Sequence, residues 1–179
     1  MTSRAFARRA LSLAGALALA APPRGLWAQS APSANVPASA AIVGAPVVVQ
    51  EQRDLAFGDV FTGTNVTVPV TSASSGRWLV TGQRDAEVRL VFDLPAELVS
   101  GPYTLPISFG PGSAGYHDRN VPQQATLFDP TAGAFARLRD HPQFQELYIW
   151  IGGAVAAALD QPGGLYSGTI TLTVSYTGN

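Results

Sequence analysis

Apolar and polar residues alternate most strictly near the C-terminus, over residues 169–176. Ile170, Leu172, Val174 and Tyr176 would share one face, and threonines and a serine the other. A period of two is typical of a β-strand with one buried face, because successive side chains of a strand point to opposite sides. We therefore expect a strand here whose apolar face belongs to the core.

Shorter stretches of the same alternation follow one another from residue 46 onward. Gly152 and Gly153 predict a hairpin between two of them. Pro106 predicts an edge strand or a bulge, because proline cannot donate a hydrogen bond to a ladder. The predicted strands lie at 65–71, 77–81, 86–92, 103–109, 147–151 and 154–159, with another around Leu55 and Phe57.

Clusters of glycine, proline and serine separate these stretches at short intervals. About eight or nine short strands with regular turns indicate an all-β fold, an immunoglobulin-like antiparallel β-sandwich over residues 46–179. Residues 129–140 leave two alternatives open. They fit a short helix capped at Thr131 that buries Phe135 and Leu138, or a strand with a loop.

Residues 1–28 have a different pattern: a basic start with three arginines, an apolar run at 11–21, a break at Pro22 and Pro23, and the run Leu26-Trp27-Ala28. This order predicts a signal peptide cleaved after Ala28 and an exported product in the periplasm, on the cell surface or outside the cell. The apolar run is too short to span a bilayer, and no later run is long enough, so no transmembrane anchor is expected. The alternative interpretation is a buried helix.

Residues 29–45 are rich in alanine, serine and proline and carry no charge. Such side chains bury too little area to offset the entropy of ordering, so we expect a flexible leader. Residues 41–49 are apolar at nearly every position. They would form either the first strand of their own domain or a strand donated to a neighbouring molecule. The pattern does not choose a face, and pairing within the chain is our expectation.

Composition excludes several classes of function. The chain contains no cysteine, which rules out disulfides and thiolate metal sites. Without residues 1–28, seven arginines and twelve acidic residues give a net charge of −5. An acidic chain without lysine has no electrostatic footprint for nucleic acid and no basic cluster for an anionic membrane surface.

Residues suited to catalysis are scarce. His117 and His141 are the two histidines, and each is expected in a solvated loop. The aspartates are dispersed, without the spacing of a calcium loop. No nucleophile motif or phosphate-binding glycine loop is present. We expect a protein that is not an enzyme, without catalytic, cofactor-binding or metal-binding residues.

Aromatic residues offer a second hypothesis, a periplasmic or surface module that binds carbohydrate or another ligand. An exposed row of aromatic rings would serve as a platform for a sugar. Packing in the core is the commoner role of an aromatic in a sandwich strand. The candidates are Trp78, Trp150, Tyr103, Tyr116, Tyr148 and Tyr166.

Two parts of the chain together resemble a known family of secreted bacterial proteins. One is the run Asp54-Leu55-Ala56-Phe57-Gly58. The other is Ile151-Gly152-Gly153, followed by Gly164-Leu165-Tyr166-Ser167-Gly168-Thr169 and the strand that ends at Tyr176. These runs resemble the family called domain of unknown function four-four-zero-two, in which a valine occupies the position of Ile151.

That family is similar to spore coat protein U and to the subunits of chaperone–usher pili. Those subunits also have a glycine twelve residues before a terminal aromatic, a spacing that Gly164 and Tyr176 share. The resemblance implies a structural or surface role, as in a pilus or coat subunit. It also implies partners of two kinds, other subunits of the same or another chain joined by β-strand addition, and a periplasmic chaperone.

Overall fold

The computed structural model describes residues 44–139 and 145–178. Within these ranges the chain forms twelve β-strands and one short 3₁₀ turn, Pro122–Gln124. The strands are β1 (Val48–Arg53), β2 (Asn65–Val68), β3 (Gly76–Thr81), β4 (Glu87–Asp93), β5 (Glu97–Ser100), β6 (Tyr103–Ser108), β7 (Ala114–His117), β8 (Thr126–Phe128), β9 (Ala134–Arg137), β10 (Glu146–Ile151), β11 (Gly153–Ala156) and β12 (Thr171–Tyr176).

The strands form three antiparallel sheets. Their orders are β1-β3-β10-β7-β8, β2-β11-β6-β5 and β12-β4-β9. The prediction of an all-β sandwich is confirmed, although the described residues hold twelve strands rather than eight or nine. The predicted strand around Leu55 and Phe57 is wrong, because these residues follow the end of β1 and belong to no sheet. No helix in the described ranges has the length and apolar character needed to cross a membrane.

The main core lies between the five-stranded and the three-stranded sheet. Val80 and Ile149 contribute from one side, and Val88 and Leu90 from the other, all four fully buried. A second cluster belongs to the four-stranded sheet, with Leu105, Ile107 and Val155 at its centre. The burial of these alternating residues supplies the main driving force for the fold.

The predicted orientation of the last strand is confirmed. Leu172 and Val174 are half-buried against the main core, whereas Thr171 and Thr173 are exposed. β12 pairs with β4 alone. The last strand is therefore the edge of its sheet.

The predicted hairpin at Gly152 is wrong. β10 pairs with β3 and β7, whereas β11 pairs with β2 and β6, so the chain passes from one sheet to another at this point. A Cβ atom on Gly152 would overlap the carbonyl oxygen of Val68, and the Gly152 N–H donates a 2.7 Å hydrogen bond to Ser113. A glycine is needed here because the backbones approach so closely.

Residues 129–139 adopt the strand and loop, not the helix. The Asp129 carboxylate accepts a hydrogen bond from the Thr131 N–H, and Gly133 has a φ of 72°, which together make the turn before β9. Leu138 is fully buried, but Phe135 is 60% exposed. The strand alternation places these two side chains on opposite sides, where a helix would have buried both.

Pro106 lies in β6, which has neighbours on both sides and is not an edge strand. Its pairing with β11 is confined to Ile107 and Ser108, so Pro106 lies just beyond the ladder on that side. The missing N–H is therefore tolerated in an internal strand.

The start of the domain pairs within its own chain, as expected for the described part of residues 41–49. Val48 and Val49 lie opposite Thr81 and Val80 of β3. At the end of the predicted leader, the Ala45 carbonyl accepts a hydrogen bond from the Tyr176 hydroxyl. The predicted signal peptide, the predicted cleavage site and most of the leader lie outside the described residues.

Candidate functional site

A groove of about 810 Å³ lies between two segments of the chain that belong to no sheet, residues 54–60 and 161–170. We call them the first wall and the second wall. Leu105, Ile107 and Val155, from β6 and β11, line the groove between them. The second cluster of buried residues therefore borders the groove.

The first wall continues the chain beyond β1. The Ala56 N–H donates a 2.9 Å hydrogen bond to the Ser74 carbonyl, which fixes the middle of this segment. Phe57 and Val60 pack against the second cluster. Gly58, between them, has a φ of 68°, a conformation that glycine adopts without strain.

The second wall leads into β12. Gln161 donates hydrogen bonds from its side-chain nitrogen to the Thr104 carbonyl and to the Tyr166 hydroxyl. The Tyr166 hydroxyl donates in turn to the Pro162 carbonyl at 2.7 Å. Ser167 exchanges two backbone hydrogen bonds with Val99 of β5, at 2.8 and 3.1 Å. These bonds anchor the wall to the four-stranded sheet.

Much of the backbone along both walls has no partner within the described residues. The peptide groups of Leu55 and Phe57 on one side, and of Thr169 and Ile170 on the other, make no backbone hydrogen bond there. Unpaired N–H and C=O groups beside an apolar surface present the pattern that an added β-strand satisfies.

The groove carries an acidic side. Glu51, Asp54 and Asp59 line it together with one basic residue, Arg53. A hydrogen bond to Asp54, and then the charge of Asp54, raise the pKa of Glu51 above its ordinary value. Glu51 is exposed, so water screens this repulsion.

Arg53 offsets only part of this acidic charge, and its head group is hydrogen-bonded to the loop before β3. Its Nε donates to the Ser75 carbonyl at 2.7 Å, and one terminal nitrogen donates to the Ser75 hydroxyl at 3.0 Å. Burial, and secondly the neighbouring Arg77, lower the pKa of Arg53. The arginine therefore holds the loop before β3.

Only two of the six aromatic candidates line the groove, Trp78 and Tyr166. Trp150 is fully buried and stacks on Tyr148, with ring centroids 6.1 Å apart. Tyr116 packs against the main core, and Tyr103 is 49% exposed on β6. The structure does not bring the six rings together as one platform.

His117 is not in a solvated loop, as its neighbours in sequence suggested. It ends β7, pairs with Tyr148 of β10 and is half-buried. Its Nδ1 accepts a 3.0 Å hydrogen bond from the Arg119 N–H and lies 2.9 Å from an Asp118 oxygen. His141 lies outside the described residues. Among the described ones, no three histidine or acidic side chains are grouped to hold a metal ion.

Sequence reasoning did not predict this groove or its acidic side, although it singled out the two runs that form its walls. Asp54 belongs to the first motif of the family resemblance, and the run from Gly164 to Thr169 belongs to the second. The structure places these two runs on opposite walls of one groove. Comparison with family models, with curated proteins and with solved structures gives no match for this chain.

Proposed function

We propose that this chain is a non-enzymatic exported protein, a structural or surface subunit of the pilus or coat kind. In this proposal the groove takes up an extended segment of a neighbouring subunit as an added β-strand. The observation that carries the proposal is that several peptide groups on both walls make no backbone hydrogen bond within the described residues, while buried aliphatic side chains line the groove between the walls.

The lining of the groove suits an extended segment. Two stretches of chain that belong to no sheet line it, together with buried aliphatic side chains such as Ile107 and Val155. An extended peptide with alternating apolar residues places one face on such side chains, while its backbone pairs with a wall.

Exposed apolar side chains at the rim support the same function. Leu165, on the second wall, is 89% exposed. Phe61 directly follows the first wall and is 75% exposed. Large exposed apolar side chains grouped at a groove mark an interaction surface.

The chain's own first strand leaves the groove open. β1 is paired with β3 from Val48 to Arg53, and the chain then continues as the first wall. The occupant in our proposal is therefore a segment outside the described domain. Membership of the resembling family, export by the signal peptide, and a surface or periplasmic location remain part of this proposal.

Three fluorescent eight-residue peptides test the proposal against the full chain. Each alternates valine and threonine, and they carry a lysine, a glutamine or a glutamate at one end. We expect at least one to bind saturably in fluorescence anisotropy. Methylation of alternate peptide nitrogens should abolish that binding, because it removes the backbone donors.

A matched pair of variants locates the binding. Leu165→Asp should weaken it at least tenfold, whereas Leu127→Asp, at an exposed site on β8, should not change it. Failure of every peptide to bind, with the lysine placed at either end, would overturn the proposed function.

A ligand-binding module is the second candidate, because Trp78 and Tyr166 line the groove. A small sugar would quench the fluorescence of Trp78 without dependence on any peptide N–H. Saturable quenching by an oligosaccharide in wild type, absent in Trp78→Phe, would favour this second function.

A further inference from the structure

We infer that the segment taken up by the groove carries a basic residue and belongs to a different chain, not to this chain's own leader. The inference rests on the proposed function and names the partner's chemistry. It is carried by the charge of the groove, which the function alone does not specify.

Three acidic side chains and one basic side chain, that of Arg53, line the groove, so its lining is net acidic. Glu51, in β1, and Asp54, at the start of the first wall, both line the groove. Asp59 lines the groove further along the same wall. No ion pair to any of the three is formed within the described residues.

The one arginine beside them is committed to the loop before β3 through Ser75. Two neighbouring carboxylates repel each other, and a cation placed beside both removes that repulsion. A lysine or arginine at one end of an incoming strand would supply this cation. Charge complementarity of this kind selects the partner and its register more than it adds affinity.

The predicted leader of this chain has no basic side chain. Residues 29–45 contain no charged side chain, and Pro32 and Pro37 remove two backbone donors that strand pairing needs. The segment that fits the groove is therefore an alternating apolar strand with a basic residue, from another protein.

The test uses the full chain, the three peptides and a peptide of residues 29–45 with a free amino terminus. Because the peptide can run along the groove in either chain direction, the lysine peptide is made in two versions, one with lysine at the N-terminus and one with lysine at the C-terminus. We expect one lysine version to bind about tenfold more tightly than the glutamine peptide at low salt, and the glutamate peptide to bind most weakly. The advantage of lysine should shrink in high salt, which screens exposed charges.

Charge-removing variants assign the effect to residues. Glu51→Gln and Asp54→Asn together should abolish the preference for lysine while leaving the glutamine peptide's affinity unchanged. Asp85→Asn, in the exposed turn before β4, is the matched control and should keep the preference.

Three results would overturn the inference while leaving the proposed function intact. The first is equal affinity of the lysine, glutamine and glutamate peptides. The second is binding of the 29–45 peptide as tight as that of the lysine peptide. The third is a ladder of multimers of the purified chain that Leu165→Asp abolishes. No binding by any peptide would instead overturn the proposed function itself.

Discussion

The hydroxyl of Tyr176, in the last strand, donates a 2.8 Å hydrogen bond to the carbonyl of Ala45, 131 residues earlier. The same hydroxyl accepts a 2.6 Å hydrogen bond from the Gln83 N–H. One side chain thus joins the start of the domain, the turn after β3 and the end of β12. This contact ties the chain start to the edge strand at the Tyr176 end, while the second wall, at the other end of β12, borders the groove.

Tyr176→Phe should lower the free energy of unfolding by about 1 kcal/mol, because two hydrogen bonds at an exposed site are lost and water replaces them in part. Denaturant unfolding measures the change. Tyr103→Phe is the control, since the Tyr103 hydroxyl has no hydrogen-bond partner among the described residues. Equal effects of the two substitutions would contradict the role given to Tyr176.

Leu172→Ala should destabilise the protein by about 2 to 3 kcal/mol, because it leaves a cavity beside the main core from a half-buried site. Thr171→Ala should cost far less, since Thr171 points to solvent from the opposite face of β12. The same unfolding experiment compares them. Similar losses would show that the register of the last strand is different.

Gly152→Ala should cost about 3 kcal/mol or more, because the new Cβ overlaps the Val68 carbonyl and backbone must move. Gly110→Ala is the matched control, since a Cβ there meets nothing within 4 Å. Comparing the melting temperatures of the two variants distinguishes the steric clash at position 152 from the effect that replacing any glycine by alanine would have. Unchanged stability of Gly152→Ala would remove the steric reason for glycine at the sheet crossing.

Asp54→Asn should lower the pKa of Glu51, because Asp54 is the main cause of its raised value. A carboxyl whose pKa is raised on folding binds its proton more tightly in the folded state. In the wild type, this carboxyl group therefore contributes more to the free energy of unfolding as the pH falls through its pKa. In Asp54→Asn, this pH-dependent contribution should be lost. NMR titration of the Glu51 side-chain carbon measures the shift, with Asp85→Asn as control. An unchanged Glu51 pKa would show that the carboxyl groups are not coupled.

Local pattern was enough to predict the strands whose two faces differ clearly. β12 and β6 alternate, and the pattern indicates their inward residues, except that Tyr103 at the start of β6 is exposed. The pattern was insufficient at Gly152, because a pair of glycines fits both a hairpin and a crossing between sheets. Which one forms depends on the close approach of Val68, about eighty residues earlier in the sequence.

The groove was not predicted from the sequence. Its walls are more than a hundred residues apart in sequence, and β6 and β11, which pair with each other, line the groove between them. Asp54 and Asp59 were interpreted as dispersed acids, since nothing local indicates that both line the same groove. Which distant residues come into contact depends on the order of the strands in the sheets. The alternation of apolar and polar residues along one strand does not determine that order.

Amide hydrogen exchange of the full chain, with and without a saturating lysine-bearing peptide, tests the central claim most directly. The account predicts at least about tenfold slower exchange in segments 54–60 and 161–170 when the peptide is bound, with β8 unchanged. Methylation of the peptide's alternate nitrogens should remove this protection. Fluorescence anisotropy shows under which conditions the peptide is bound. If amide exchange along both walls is unchanged under those conditions, strand addition at the groove is contradicted.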